Sequence, residues 1–220
     1  MLDQIIIDGI GSYADFEASV ASRDIGEPKK KVIRQTIPFS NVTYDFSKID
    51  GELYWEDREL KYVLEITADT PEELERKKTA FKSWVMNVMN GELHDPFIAD
   101  YHFFATFGSI DFDDSEVEKT TANVTFTAYP YKIANEAKQF SFALTTGQQS
   151  GSIVNNSSHR IVPTLTSDVA FTIELNGVSY SVPAGTGAYE EVMLEQGENA
   201  VLLTGTSAGT LTVAFNEEVF

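Results

Sequence analysis

Residues 59–90 read ELKYVLEITADTPEELERKKTAFKSWVMNVMN, and this stretch decides the fold class. From Glu59 to Ala68 the side chains alternate. Leu60, Tyr62, Leu64 and Ile66 share one face, while Lys61, Glu65 and Thr67 take the other. A period of two over so many residues is a strand buried on one side. At Thr70 the period changes. Thr70 can cap a helix, Pro71 suits the first helical position, and Glu73 completes a capping box. Leu74, Phe81, Trp84, Val85 and Val88 then recur near 3.6-residue spacing. Acids in the first turn and bases after it complement the helix dipole. Asn90 and Gly91 stop the pattern. The spacing predicts one helix over about 71–90, and that helix must cover a sheet face.

On either side the chain reads as strand. Ile5–Ile7, Lys31–Ile37, Phe97–Phe107 and Thr121–Tyr129 are the candidates in the first half, with Pro38 and Pro130 as stops. Residues 135–160 are crowded with Thr, Gly, Gln, Ser and Asn, a composition that predicts a linker or long loops. Beyond them come short strands at 8–12-residue intervals: 169–175, 178–182, 191–194, 200–204 and 210–215. Asn176-Gly177 between two of these is a hairpin signal. The spacing predicts a small β-sandwich. The expected fold is therefore mainly β in two parts, residues 1–134 with the helix and residues 135–220 without one.

Composition narrows the function. The 220 residues carry 16 bases and 34 acids, a net charge of −18. Through residue 134 there are 14 bases against 25 acids, and beyond it 2 against 9. Neither part offers the basic face that phosphate binding needs. The absence of cysteine removes disulfide frameworks, thiolate zinc sites and Cys nucleophiles. Residues 1–20 carry Asp3, Asp8, Asp15 and Glu17 where a signal peptide needs bases and an apolar run. Nothing approaches the roughly 20 apolar residues of a membrane span. The expectation is a protein made in the cytoplasm.

No motif selects an enzyme. Gly205-Thr-Ser207-Ala-Gly209 matches the nucleophile-elbow pattern, but a strand follows it and the last histidine, His159, precedes it. A tight hairpin turn is the simpler reading. His94 with Asp95 and Asp100 has no nucleophile tied to it by spacing. Asp111, Asp113 and Asp114, with Glu116 and Glu118, read as a solvated acidic loop or a weak divalent-cation site. No cofactor is implied. The segment from Pro38 to Glu59 is rich in Tyr, Phe and Trp yet poorly periodic. It reads either as a loop over the core or as an arm that packs on an adjacent subunit through Phe39, Tyr44, Phe46, Tyr54, Trp55 and Arg58. The second half holds few aromatic residues for a sugar-stacking face, so a carbohydrate-binding module for host cell-wall glycans is the alternative reading. A cell-wall hydrolase is disfavoured by the missing Cys and metal-ligand spacing.

Six ordered pieces of the first 132 residues carry a resemblance. They are Ile10-Gly11-Ser12-Tyr13 with Asp15-Phe16; Pro28-Lys29-Lys30; Thr36-Ile37-Pro38; Tyr44-Asp45-Phe46-Ser47; Gly51-Glu52 with Tyr54, Glu56, Arg58 and Leu60; and Thr125-Phe126 with Ala128-Tyr129-Pro130-Tyr131. In this order the chain resembles the distal tail proteins of long-tailed phages (siphophages) of Gram-positive bacteria. The second half is similar in kind, with a Gly197-Glu198-Asn199 turn before a strand. The resemblance implies a β-sandwich or split-barrel domain with one helix, followed by a small galectin-like β-sandwich. It implies a homo-hexamer ring at the virion tail tip, between a tail-tube protein and a tail-tip protein, with receptor-binding or other baseplate proteins outside. DNA would be passing cargo in the channel, and acidic side chains there would keep it from sticking. The second half is too short for the large polysaccharide-binding insertion that some family members carry.

Overall fold

A computed structural model describes residues 3–48, 51–114, 116 and 118–220. The chain divides into two compact units, Met1–Lys132 together with Phe220, and Ile133–Val219.

The first unit contains β1 (Ile6–Ile7), β2 (Ile10–Gly11), α1 (Ser12–Phe16), β3 (Ala18–Ile25), β4 (Arg34–Thr36), β5 (Thr43–Asp45), β6 (Arg58–Thr67), α2 (Pro71–Met86), β7 (Gly91–His94), a 3-10 turn (Pro96–Ile98), β8 (Tyr101–Asp113) and β9 (Lys119–Ala128). All the strands except β4 and β5 form one antiparallel sheet in the order β3-β6-β9-β8-β7-β1-β2. The Val20 amide donates to Asp3 O (2.9 Å), which brings β3 beside the segment leading into β1. The sheet thus curls back on itself as a split barrel. The alternation legible in the sequence is the mechanism: Leu60, Tyr62, Leu64 and Ile66 of β6 are buried, and so are Ala122, Val124, Phe126 and Ala128 of β9. The register sets Leu60 against Phe126, Tyr62 against Val124 and Leu64 against Ala122. Such cross-strand pairs stabilise a sheet.

Helix α2 covers this face with Leu74, Phe81 and Val85. Thr70 caps it as its sequence predicts, accepting from the Glu73 amide at 3.2 Å. It stops at Met86, one turn short of the expected end at 90. Asn87 closes it, its amide bonded to Trp84 O and its side chain to Ser83 O (2.7 Å). Asn90 then adopts a left-handed φ of 53° before β7 begins. A second, five-residue helix, α1, is an addition to the single helix expected. Its Phe16 stacks on Trp84 (4.9 Å between ring centroids) and meets Phe81 edge-on (6.0 Å).

The second unit is a sandwich. Its strands are β10 (Lys132–Leu144, which begins at the last residue of the first unit), β11 (Gln149–Asn155), β12 (Thr164–Ser167), β13 (Phe171–Leu175), β14 (Val178–Val182), β15 (Gly185–Ala188), β16 (Gly197–Gly205) and β17 (Gly209–Val219). One layer runs β15-β12-β17-β10 and the other β11-β16-β13-β14. Leu165, Leu211 and Val213 from the first layer meet Ile153, Ile173, Val201 and Leu203 from the second in one core. This fits the galectin-like sandwich implied by the resemblance. Residues 135–160 are not the linker their composition predicts, because they build most of β10 and all of β11. Both strands are largely exposed on one face, so polar residues alternate along them. Residues 191–194 form no strand; Leu194 makes an isolated bridge to Ile161. Asn199 holds the turn before β16, bonding Glu195 through both its backbone amide (2.9 Å) and carbonyl (2.8 Å).

Both tryptophans, Trp55 and Trp84, lie in the first unit, so tryptophan emission reports on that unit alone. Phe81 is fully buried. We expect Phe81→Ala to lower the stability of the first unit by about 3–5 kcal/mol, the range for truncating a core Phe. Urea unfolding followed by tryptophan fluorescence measures this.

A candidate interaction surface

Between β3 and β6 the chain leaves the sheet as a ribbon. Its root is a ladder of backbone bonds: Gly26 N to Glu59 O (2.9 Å), Glu56 N to Lys29 O (2.7 Å) and Lys31 N to Tyr54 O (2.8 Å). Further out, the Phe46 amide donates to Ile33 O (2.8 Å) and the Ile33 amide donates to Ser47 Oγ (2.8 Å). Strands β4 and β5 then pair only with each other, Arg34 opposite Asp45 and Thr36 opposite Thr43. Ile49 and Asp50 of this segment lie outside the described residues.

The ribbon carries a large apolar surface in contact with solvent. Every residue from Lys29 to Phe46 is exposed. These include Val32, Ile33, Ile37, Phe39, Val42, Tyr44 and Phe46. Tyr44 and Phe46 lie two residues apart on one face, their rings near-parallel with centroids 6.2 Å apart. Phe39 at the tip is fully exposed and has a left-handed φ of 65°. A non-glycine residue held there costs about 1–3 kcal/mol and persists only where its surroundings impose it. A two-stranded ribbon is marginal in water by itself, and an exposed apolar patch this wide makes it the candidate interaction surface.

The structure sorts the six residues expected on this arm. Phe39, Tyr44, Phe46 and Tyr54 are exposed on it. Trp55 is half-buried at the root, where it bridges Lys30 and meets Phe220 edge-on (4.6 Å). Arg58 is not on the arm's surface. It opens β6, is 2% exposed, donates from Nε to Pro130 O (2.8 Å) and lies over the Phe103 ring (5.3 Å). Burial lowers its pKa, the nearby Glu27 opposing this. The guanidinium stays charged and serves as an internal pin.

The other candidates come apart. Asp114 accepts from Lys78 Nζ through both carboxylate oxygens (2.8 Å each) and from Thr120 Oγ1 (2.7 Å). Lys78 holds its carboxyl below the usual range. Asp111 and Asp113 lie exposed on β8, while Ser115 and Val117 of the loop lie outside the described residues. Among the described residues no three His, Cys, Asp or Glu side chains converge as metal ligands would. Asp95 does not orient His94: it caps the 3-10 turn through the Phe97 amide (3.0 Å) and pairs with Arg23 (3.0 Å). The His94 ring lies instead 5.1 Å from that of His102 on β8. Ser207 lies on a crossover from β16 in one layer to β17 in the other, rather than on the hairpin expected. The aromatic side chains of the second unit turn inward. Phe171 and Phe215 are buried, and Phe140, Phe142, Tyr180 and Tyr189 pack against that core.

No protein-family model and no curated protein matches this chain in sequence. Solved structures do show likenesses. SPP1 Dit (gp 19.1), described as a paradigm of the hub adsorption apparatus in Gram-positive infecting phages, matches with a TM-score of 0.69 over 98% of this chain and 99% of its own, at 14% identity. The chain shares the fold of SPP1 Dit. Two structures of the phage p2 baseplate in its activated conformation, with Sr and with Ca, lie further off. Their TM-scores are 0.41 and 0.36, each at 8% identity, over 98% and 87% of this chain and 98% and 90% of theirs.

Asp45 fastens the outer ribbon and gives it a pH dependence. The Ser47 hydroxyl and amide, with Arg34 (3.0 Å), hold its pKa down to about 2. Because this folded value lies below the ordinary 3.8, the contribution is complete above pH about 4 and disappears as the pH falls toward 2. We expect the β4–β5 NMR shifts to move toward random-coil values in that window, and Asp45→Asn to abolish the transition.

Proposed function

We propose that this chain is a structural hub protein of a phage tail tip. The observation that carries this reading is the shared fold with SPP1 Dit, end to end in both chains. In this reading six copies close into a ring that joins the tail tube to the tail-tip protein. The first unit forms the ring, and the second faces receptor-binding or other baseplate proteins. Closed rings use one patch against a different patch of the next subunit. The ribbon supplies one such patch, with Phe39, Tyr44, Phe46 and Tyr54 seated on the neighbour. The acidic balance of the remaining surface suits a channel through which DNA passes without sticking.

Native mass spectrometry of the full chain tests the ring. Six copies of the 24.4 kDa protomer give about 146 kDa. A monomer at every concentration from micromolar upward rejects the hub reading. On phage particles containing the chain, immunogold labelling should decorate the tail tip. Phe39→Asn relieves the left-handed backbone, which Asn tolerates, and removes the ring. We expect it to preserve protomer stability while shifting the assembly toward monomer.

A further inference from the structure

Strand β14 is an open edge. It pairs with β13 in unbroken register, from Leu175 opposite Val178 to Phe171 opposite Val182, and it is the last strand of the layer β11-β16-β13-β14. Asn176 and Gly177, with φ of 53° and 77°, form a two-residue loop between the two strands. The pair that closes such a loop exchanges both backbone bonds, and every second pair after it does the same. Val178, Tyr180 and Val182 therefore bond to β13, while Ser179 and Ser181 turn their N–H and C=O groups outward. Both serines are exposed, and neither backbone bonds elsewhere among the described residues. Sheets ordinarily block such an edge with a charge, a proline, a bulge or a very short strand. Strand β3 has a bulge after Val20 together with Arg23 and Asp24, and β2 has only two residues. Strands β11 and β15 contain Gly151, Gly185 and Gly187, and glycine weakens a strand. The sequence of β14, VSYSV, has none of these features.

We propose that β14 is the docking edge for an extended segment of a different protein, which adds to this layer as a further strand. Outward backbone donors and acceptors at alternate residues are complemented by another extended backbone, and main-chain bonds supply the affinity in this mode of recognition. The side chains beside the edge set the sequence of the guest. Val178, Tyr180 and Val182 lie opposite Leu175, Ile173 and Phe171 and share their face. Val182 is buried and Tyr180 packs against the core, but Val178 is 51% exposed. The core is incompletely covered along this margin, and apolar side chains at every second position of the guest complete it. Ser179 and Ser181 share the other face with Glu174 and Thr172, so the intervening guest residues are polar. Charge decides against a second copy as the guest. Residues 135–220 carry 2 bases against 9 acids, and the one charge on β13 and β14 is Glu174. Two such edges side by side bring like charges together, whereas a guest flanked by Lys or Arg is drawn in. The inference rests on the hub reading for the presence of such a partner, and it names the kind of segment the second unit holds.

The probe is an end-blocked, fluorescently labelled peptide, KKVTVTVKK, added to the full chain and followed by anisotropy. Hydrogen exchange read by mass spectrometry locates the site, and we expect protection to rise over residues 178–182. The same peptide N-methylated at alternate residues along its pairing edge keeps its charge and side chains but loses the donors. We expect it to bind at least about tenfold more weakly. Replacing its lysines with glutamate should weaken binding by about the same factor. Ser181→Pro removes one outward N–H and leaves the bonds to β13 in place, because proline is accepted on the free side of an edge strand. We expect this variant to unfold in urea as wild type does, followed by circular dichroism, and to lose binding at least about tenfold. The methylated peptide tests the same bonds on the unaltered chain. Equal binding by that peptide, undiminished binding by Ser181→Pro, or protection away from β14 overturns the proposal. No binding at about 1 mM also overturns it. A fall in oligomer mass on Ser181→Pro does so too, because the occupant was then a second copy. A wild-type ring of six whose β14 edge ignores the peptide refutes the strand docking alone. A wild-type monomer whose β14 edge takes the peptide refutes the hub reading alone.

Discussion

Strand β6 is hydrogen-bonded along both edges, to β3 and to β9, and much of the first unit depends on that arrangement. A strand held on both sides cannot slip by one residue without turning its whole apolar set outward. Its inward phase, Ile66-Leu64-Tyr62-Leu60, forms the surface that α2 covers. The same phase carried one step further back brings Arg58 inside. A buried cation is tolerable only when it is bonded, and the Pro130 carbonyl and the Phe103 ring meet that need. The root of the ribbon is therefore fixed by the periodicity of the strand that follows it.

This explains what could be read in advance. The β6 alternation and the α2 cap were legible because each is a local rule satisfied by neighbours in sequence. The end of α2 was not, since Val88 keeps the helical spacing while Asn87 has already closed the backbone. Strands β10 and β11 were hidden for another reason: a strand with one wet face can be composed almost entirely of linker residues. At the candidate surface the aromatic content of the ribbon was legible, and so was its poor periodicity. Arg58 was grouped with the arm because the aromatic segment was bounded at Glu59, although the inward phase of β6, carried back from Leu60, assigns it to the interior. The Asp114–Lys78 pairing joins residues far apart in sequence, and nothing local announces it.

The ribbon and the sheet below it are stabilised by different means. The sheet is held by burial on an extended core, which survives wide sequence divergence as long as volume and pattern persist. This is how a chain with 14% identity keeps the SPP1 Dit fold. The ribbon has no interior. Its order comes from backbone pairing and from the small polar knot of Arg34, Asp45 and Ser47. Most of its apolar side chains stay exposed in the isolated protomer.

Exposure of this kind also has a chemical cost for a protomer in solution. Proteases act on extended, accessible backbone, and trypsin-like enzymes cut after lysine and arginine. Four such residues stand in eighteen consecutive exposed positions. Limited digestion should therefore nick the ribbon first, while the sheet to which both of its ends are anchored stays whole. The susceptibility of that one segment gives a simple chemical readout of how much of the protein is still free.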